Sequence, residues 1–142
     1  VAVVPGTDGE KMGKSESNAV ALFAPDKQVK ASIMRIVTDS TPVEAPKDPD
    51  SCNVYALLKL FLGEDELPAL RERYTAGGTG YGDFKKLLLE KFHERFDAAR
   101  ARREELAGNL DYVHGVLRAG AERAREIGGE VLADVHRACG LR

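Results

Sequence analysis

Between Phe84 and Cys139 apolar residues recur at every third or fourth position, and the pattern breaks only at Gly108-Asn109. Roughly fifteen turns, at 3.6 residues per turn, are needed to carry it. One stripe is marked by Phe84, Leu87, Leu88, Phe92, Phe96 and Ala99. A second follows with Val113, Val116, Leu117, Ala121, Ala124, Ile127, Val131, Val135 and Cys139. Spacing of this kind predicts two long amphipathic helices. The fold class expected is mainly α, a helical bundle.

The earlier half is more broken. Val1 to Val4 is a β-branched run stopped by the turn pair Pro5-Gly6, which predicts a strand. Such runs belong to parallel sheets, whose other strands must come from elsewhere. The expectation is therefore a C-terminal piece of something longer. From Pro5 to Ser17 three glycines, a proline and two serines predict a mobile loop. Asn18 to Phe23 reads as a short strand or a packed linker. Pro25 suits the first turn of a helix running through Val29, Ile33, Ile36 and Val37 and ending near Asp39 to Pro42. Thr41 to Asp50 carries three prolines and reads as a linker, the best internal boundary. Ser51 is placed to cap a helix carrying Val54, Leu57, Leu58 and Phe61, stopped at Gly63. Another helix spans roughly Asp65 to Tyr74, with Leu67 and Leu70 inward, before the glycine cluster of residues 77–82.

Composition removes several function classes. Lys+Arg number 21 against 23 Asp+Glu, a net charge of -2, so any nucleic-acid contact must come from local patches. Cys52 and Cys139 lie far apart without metal-ligand spacing. No zinc site or disulfide framework is expected, both thiols read as small core residues, and a reducing cytoplasm is the simplest home. No apolar run approaches the ~20 residues of a bilayer span.

Lys11-Met12-Gly13-Lys14-Ser15 is the segment that carries chemistry. Two lysines three residues apart, on a flexible loop after a strand, can bring two ammonium groups against one polyphosphate. Such a loop can close onto charge that builds as a phosphate leaves. By composition alone a solvated loop, with lysines for solubility, is the commoner reading, since short Lys/Gly strings are common. The spacing of a P-loop is missing.

Residues 6–18, GTDGEKMGKSESN, resemble the KMSKS signature loop of class I aminoacyl-tRNA synthetases in its "PG-x-DG-x-KMSKS-x-x-N" form. Within that class the chain is similar to the C-terminal part of bacterial tryptophanyl-tRNA synthetases. Ile33-Met34-Arg35 with Thr38-Asp39-Ser40 resembles a "KIM-x-x-x-TDS" helix, and Cys52-Asn53-Val54-Tyr55 a "CN-x-Y" segment. Gly80 to Lys85 resembles a "GYG-x-FK" turn, and Gly120 to Ala124 a "GA-x-x-A" helix. The likeness covers essentially the whole chain.

The resemblance implies a two-step ligase that activates tryptophan with ATP, accompanied by Mg2+, and passes it to tRNA-Trp. No protein-ligated metal is implied. Lys11 and Lys14 would bind the ATP phosphates and stabilise departing pyrophosphate. Met12 would anchor the loop, Ser15 would hydrogen-bond near the nucleotide, and backbone around Ala2 would meet adenine. Residues 1–24 would end a Rossmann-like nucleotide-binding domain, of which only the last strand and signature loop are present. Residues 25–50 would connect, and residues 51–142 would form the helical, anticodon-binding domain. The parent would be a cytoplasmic homodimer. Gly13 departs from the usual Ser and Ser17 from the usual Gly or Pro, which implies modulation of the loop rather than its loss. The class's Gly-x-His-type turn and the tryptophan pocket are absent, and His93, His114 and His136 lack that context. This chain alone is therefore expected to be inactive.

From Phe84 onward there are 12 Lys+Arg against 10 Asp+Glu. For any one arginine this reads as an ordinary solvated face with i,i+4 pairs. As a group, Arg100, Arg102 and Arg103 are the candidates for tRNA phosphate contact, which gives affinity without sequence specificity. Tyr81 either stacks on an unpaired base or packs at a helix start. Asn53 reads as a cap or an interhelical hydrogen bond. A non-catalytic helical module that binds tRNA or protein is the alternative function.

Overall fold

The computed structural model describes residues 3–141. Five helices follow in order: α1 (Asp26–Met34), α2 (Asn53–Leu58), α3 (Leu67–Thr75), α4 (Tyr81–Ala107) and α5 (Leu110–Ala138). No strand forms among the described residues, where the one bridge pairs Pro5 with Lys11 in antiparallel sense. The strand expected at Val1–Val4 is therefore not found at Val3 and Val4, which are 60% and 42% exposed. Val1 and Ala2 lie outside the described residues. A β-branched run needs a neighbouring ladder to become a strand, and here Val4 receives a single bond, from the Met12 amide.

The chain divides into two compact units, one up to Arg100 and one from Ala101 onward. The first has a closely packed core. Val29, Ile33 and Ile36 meet Val54 and Leu58 of α2, Leu70 and Tyr74 of α3, and Phe84, Leu88 and Phe92 of α4. Its centre is aromatic: Tyr74 stacks on Phe84 with centroids 3.8 Å apart, and Tyr55 meets Tyr74 edge-on at 5.1 Å. Offset stacks and edge-on pairs match the charge distribution of the rings and add to the burial itself. The Cys52 thiol donates to the Tyr74 hydroxyl at 3.7 Å, so Cys52 is the small core residue expected.

α1 stops at Met34, short of the stripe read from the sequence. The Val37 amide leaves the helix to donate to the Thr7 carbonyl at 2.8 Å. Ile36 remains buried while Val37 turns outward, 56% exposed. Residues 41–50 do not hang free as a linker. Lys47 is 2% exposed, its ammonium donates to the carbonyls of Pro42, Val43 and Ala45, and its amide donates to Tyr74. The three prolines thus shape a turn that wraps one buried ammonium with backbone oxygens. Arg71 of α3 further ties in Asp50 through two hydrogen bonds of 2.8 and 2.6 Å. α2 begins after Cys52 rather than Ser51, with no side-chain cap.

The second unit contains the end of α4 and all of α5. The Asn109 side chain caps α5 by accepting from the Tyr112 amide at 3.2 Å, as Asn at an N-cap does. Along α5 no residue is buried. Ile127, Val131 and Leu117 of the predicted stripe are each more than 60% exposed. Ala99 and Cys139, both assigned to apolar faces, are also exposed. Among the described residues no helix is long and apolar enough to cross a membrane.

Candidate functional site

The loop of residues 5–18 is built as a knot of hydrogen bonds. The Gly6 amide donates to Glu10 O at 2.7 Å and the Met12 amide to Val4 O at 2.9 Å, closing a tight hairpin. Its turn passes through Gly9 at φ +91°, a conformation that only glycine adopts freely. Asp8 accepts from the Glu10 amide across the turn at 3.0 Å.

Asn18 holds the loop from inside. It is 2% exposed, and its carboxamide is fully used. The Nδ2 donates to both Asp8 carboxylate oxygens at 2.9 and 3.1 Å and to Lys11 O at 3.1 Å. The Oδ1 accepts the Gly13 amide at 2.9 Å. A side chain on Gly6 would meet Asn18 at 2.4 Å, so glycine there makes room for the asparagine. Buried amides cost stability unless satisfied, and once satisfied they fix a single arrangement. The segment read as a mobile loop is therefore locked at its base.

Above that base the two lysines stand outward. Lys11 and Lys14 are exposed, and neither ammonium has a hydrogen-bond or ion-pair partner among the described residues. Met12, between them, is half-buried and lines an apolar cavity of about 320 Å³ with Val4, Leu22, Ile33, Leu57 and Phe92. Its side chain therefore faces apolar neighbours rather than solvent alone. Gly13 has room for a small side chain, which would lie 3.1 Å from the flexible Glu16 Cγ. Ser15 donates its hydroxyl to Glu16 at 3.0 Å, so it must turn before it can serve a phosphate. Ser17 stands at φ 55°, the left-handed conformation that glycine holds without strain. Two unpaired ammonium groups on a fixed backbone are point charges of the kind that can attract a polyphosphate. The backbone around Ala2, expected to face adenine, lies outside the described residues.

The arginines divide. Arg100 is committed within the first unit: its side chain is 17% exposed, it pairs with Asp26 at 2.5 Å, donates to Leu22 O and lies over the Phe92 ring. That packing takes it out of the phosphate-contact set. Arg102 pairs with Glu105 at 2.5 Å and Arg103 with Glu104 at 3.5 Å, and both remain about half exposed. Tyr81 packs rather than stacks outward. Its hydroxyl donates to Asp39 at 3.0 Å, and the Lys47 ammonium sits 5.4 Å from its ring centre. Burial, with the Asp39 carboxylate beside it, pushes the Tyr81 phenol up to about 12. Among the described residues no group of three or more His, Cys, Asp or Glu is placed to hold a metal ion.

Asp8 and Asn18 escaped the reading of the sequence as site residues. Two glycines and an asparagine at fixed offsets, Gly6, Gly9 and Asn18, were the available signal. Each glycine sits where an asparagine side chain presses on the backbone, Asn18 at Gly6 and Asn53 at Gly9.

Comparison with known proteins places this geometry. The family described as tRNA synthetases class I (W and Y) matches residues 1–97. The tryptophan–tRNA ligase of Rhodopirellula baltica is 49% identical over 99% of the chain, and that of Fusobacterium nucleatum 45% over 99%. A crystal structure of tryptophanyl-tRNA synthetase from Campylobacter jejuni complexed with ADP and tryptophan superimposes with a TM-score of 0.94 at 42% identity over 99% of the chain. The chain spans about 44% of the length of these relatives. It belongs to the class I tRNA synthetases for tryptophan and tyrosine, and is similar throughout its length to tryptophan–tRNA ligases.

Proposed function

We propose that this chain forms the C-terminal portion of a cytoplasmic tryptophan–tRNA ligase and supplies its pyrophosphate-binding loop. In the first step the tryptophan carboxylate attacks the α-phosphorus of ATP. The bond to the bridging oxygen breaks, and pyrophosphate leaves as the adenylate forms. In the second, a hydroxyl of the terminal ribose of tRNA-Trp attacks the activated carbonyl and AMP leaves. Lys11 and Lys14 hold the β- and γ-phosphates, and their charge counts most as the leaving group gains its negative charge. Met12 seats the loop, while the backbone at Gly13 and the Ser15 hydroxyl lie beside the nucleotide. Magnesium arrives on the triphosphate. Backbone near Ala2 meets adenine.

Residues 1–24 close the nucleotide-binding domain, residues 25–50 connect, and residues 51–142 face tRNA, with Arg102 and Arg103 toward its phosphates. The parent works as a homodimer, with its tryptophan pocket outside this chain. The observation that carries the reading is the pair of unpaired ammonium groups held above the Asn18 knot. In the complete ligase, Lys14→Ala should slow adenylate formation by ~100-fold or more, as lost transition-state charge does, with tRNA binding nearly unchanged. Unchanged single-turnover ATP consumption would overturn the assignment.

A further inference from the structure

We infer that Asn53, at the start of α2, is a positioning residue for the pyrophosphate-binding loop, an inference that rests on the function proposed above. Asn53 lies 35 or more positions from the loop in sequence, yet the loop is seated on it. The turn residue Gly9 passes so close that a side chain there would stand 2.5 Å from Asn53 Oδ1. Asn53 Nδ2 donates to Val37 O at 3.0 Å, and the Val37 amide donates to Thr7 O at 2.8 Å. Thr7 in turn donates its amide to Asn18 O at 2.8 Å. From Asn18 the side chain reaches the Gly13 amide and Lys11 O.

A continuous set of bonds therefore runs from the first residue of α2 to the backbone on both sides of Met12. Asn53 bonds to it at Val37 and lies close beneath the hairpin turn at Gly9. The loop's hairpin is short and pairs with no strand among the described residues. Its orientation relative to α1 and α2 is then set by these contacts and by Met12. Asn53 touches neither lysine, so it acts through the backbone that carries them.

The test belongs in the complete ligase. Asn53→Ala should lower the rate of adenylate formation about tenfold, since a small displacement of a catalytic group costs that much or more. The change should appear mainly in kcat, because lysine placement matters most at the transition state. Asn53→Asp keeps the shape but loses the donor to Val37 O, and should fall with Asn53→Ala. Both carry a melting control. The decisive readout is a mutant cycle against an enzyme carrying both Lys11→Ala and Lys14→Ala. If Asn53 works by positioning the lysines, Asn53→Ala should change the rate of that enzyme less than about twofold. Additive losses in the cycle, or near wild-type rates for both Asn53 variants, would overturn the inference. A silent Lys14→Ala would instead overturn the function it rests on, so the two failures are distinguishable.

Discussion

α4 and α5 carry apolar stripes of the same period, and only one of them is covered. The first turns of α4 bury Phe84, Leu88 and Phe92 in the aromatic core of the first unit. α5 runs for 29 residues with none buried. Periodicity records that a face is apolar, whereas burial requires a second surface at the right distance. The side chains on α4 found one in α1, α2 and α3. Those on α5 leave no residue fully buried among the described residues; its first turns meet the end of α4, where Val113, Val116 and Leu117 line a shallow pocket with Leu106.

That contrast can be broken by mutation. Phe84→Ala should cost about 3–5 kcal/mol, the usual loss for a buried aromatic that leaves a cavity. Ile127→Ala on α5 should change stability by less than ~0.5 kcal/mol, because an exposed β-branched residue loses little and alanine favours helix. Chemical denaturation of the chain checks both. A cost above about 2 kcal/mol for Ile127→Ala would mean that α5 is covered as firmly as α4.

A smaller effect separates the two regions in alkali. The Tyr81 phenol, raised to about 12, and Tyr74, pushed up further by burial, both lie in the first unit. A folded-state value above the unfolded one gives stability that is complete below pH ~10 and lost as pH rises toward 12. Titrating tyrosinate absorbance should show these phenols ionising late, together with loss of the core. Asp39 works in the opposite range. Thr41, first of all, and Tyr81 hold its carboxyl below 3.8, so its contribution is present above that pH and fades on acidification. Ionisation of all tyrosines together near pH 10, with the fold intact, would remove the role given to this network.

The smallest effect concerns the loop itself. Ser17→Gly should stabilise the first unit by roughly 0.5–1 kcal/mol, relief of the left-handed strain being partly offset by glycine entropy. A lowered melting temperature would show that Ser17 makes a compensating contact.

Legibility was uneven within a single site. Lys11, Met12 and Lys14 drew attention through the motif they share with a known signature loop, since their spacing alone also fits a solvated loop. Asn18 was visible only as the last letter of a motif, since a buried amide and a capping one look alike in sequence. Arg100 looked like its neighbours Arg102 and Arg103, but Asp26 and the Phe92 ring lie within its reach. Lys47, in a proline-rich stretch that reads as a linker, turned out to organise a turn.

By itself the sequence determined the five helices, the breaks at proline or glycine between them, and a loop with two lysines, because propensity, periodicity and motif spacing are local properties of the chain. Tertiary structure alone decided that Asn18 is buried beneath the loop, that Arg100 is drawn in against Asp26 and the Phe92 ring, and that no residue of α5 is buried among the described residues. Those outcomes depend on which distant groups come within hydrogen-bond or packing distance, and that distance exists only once the chain has folded.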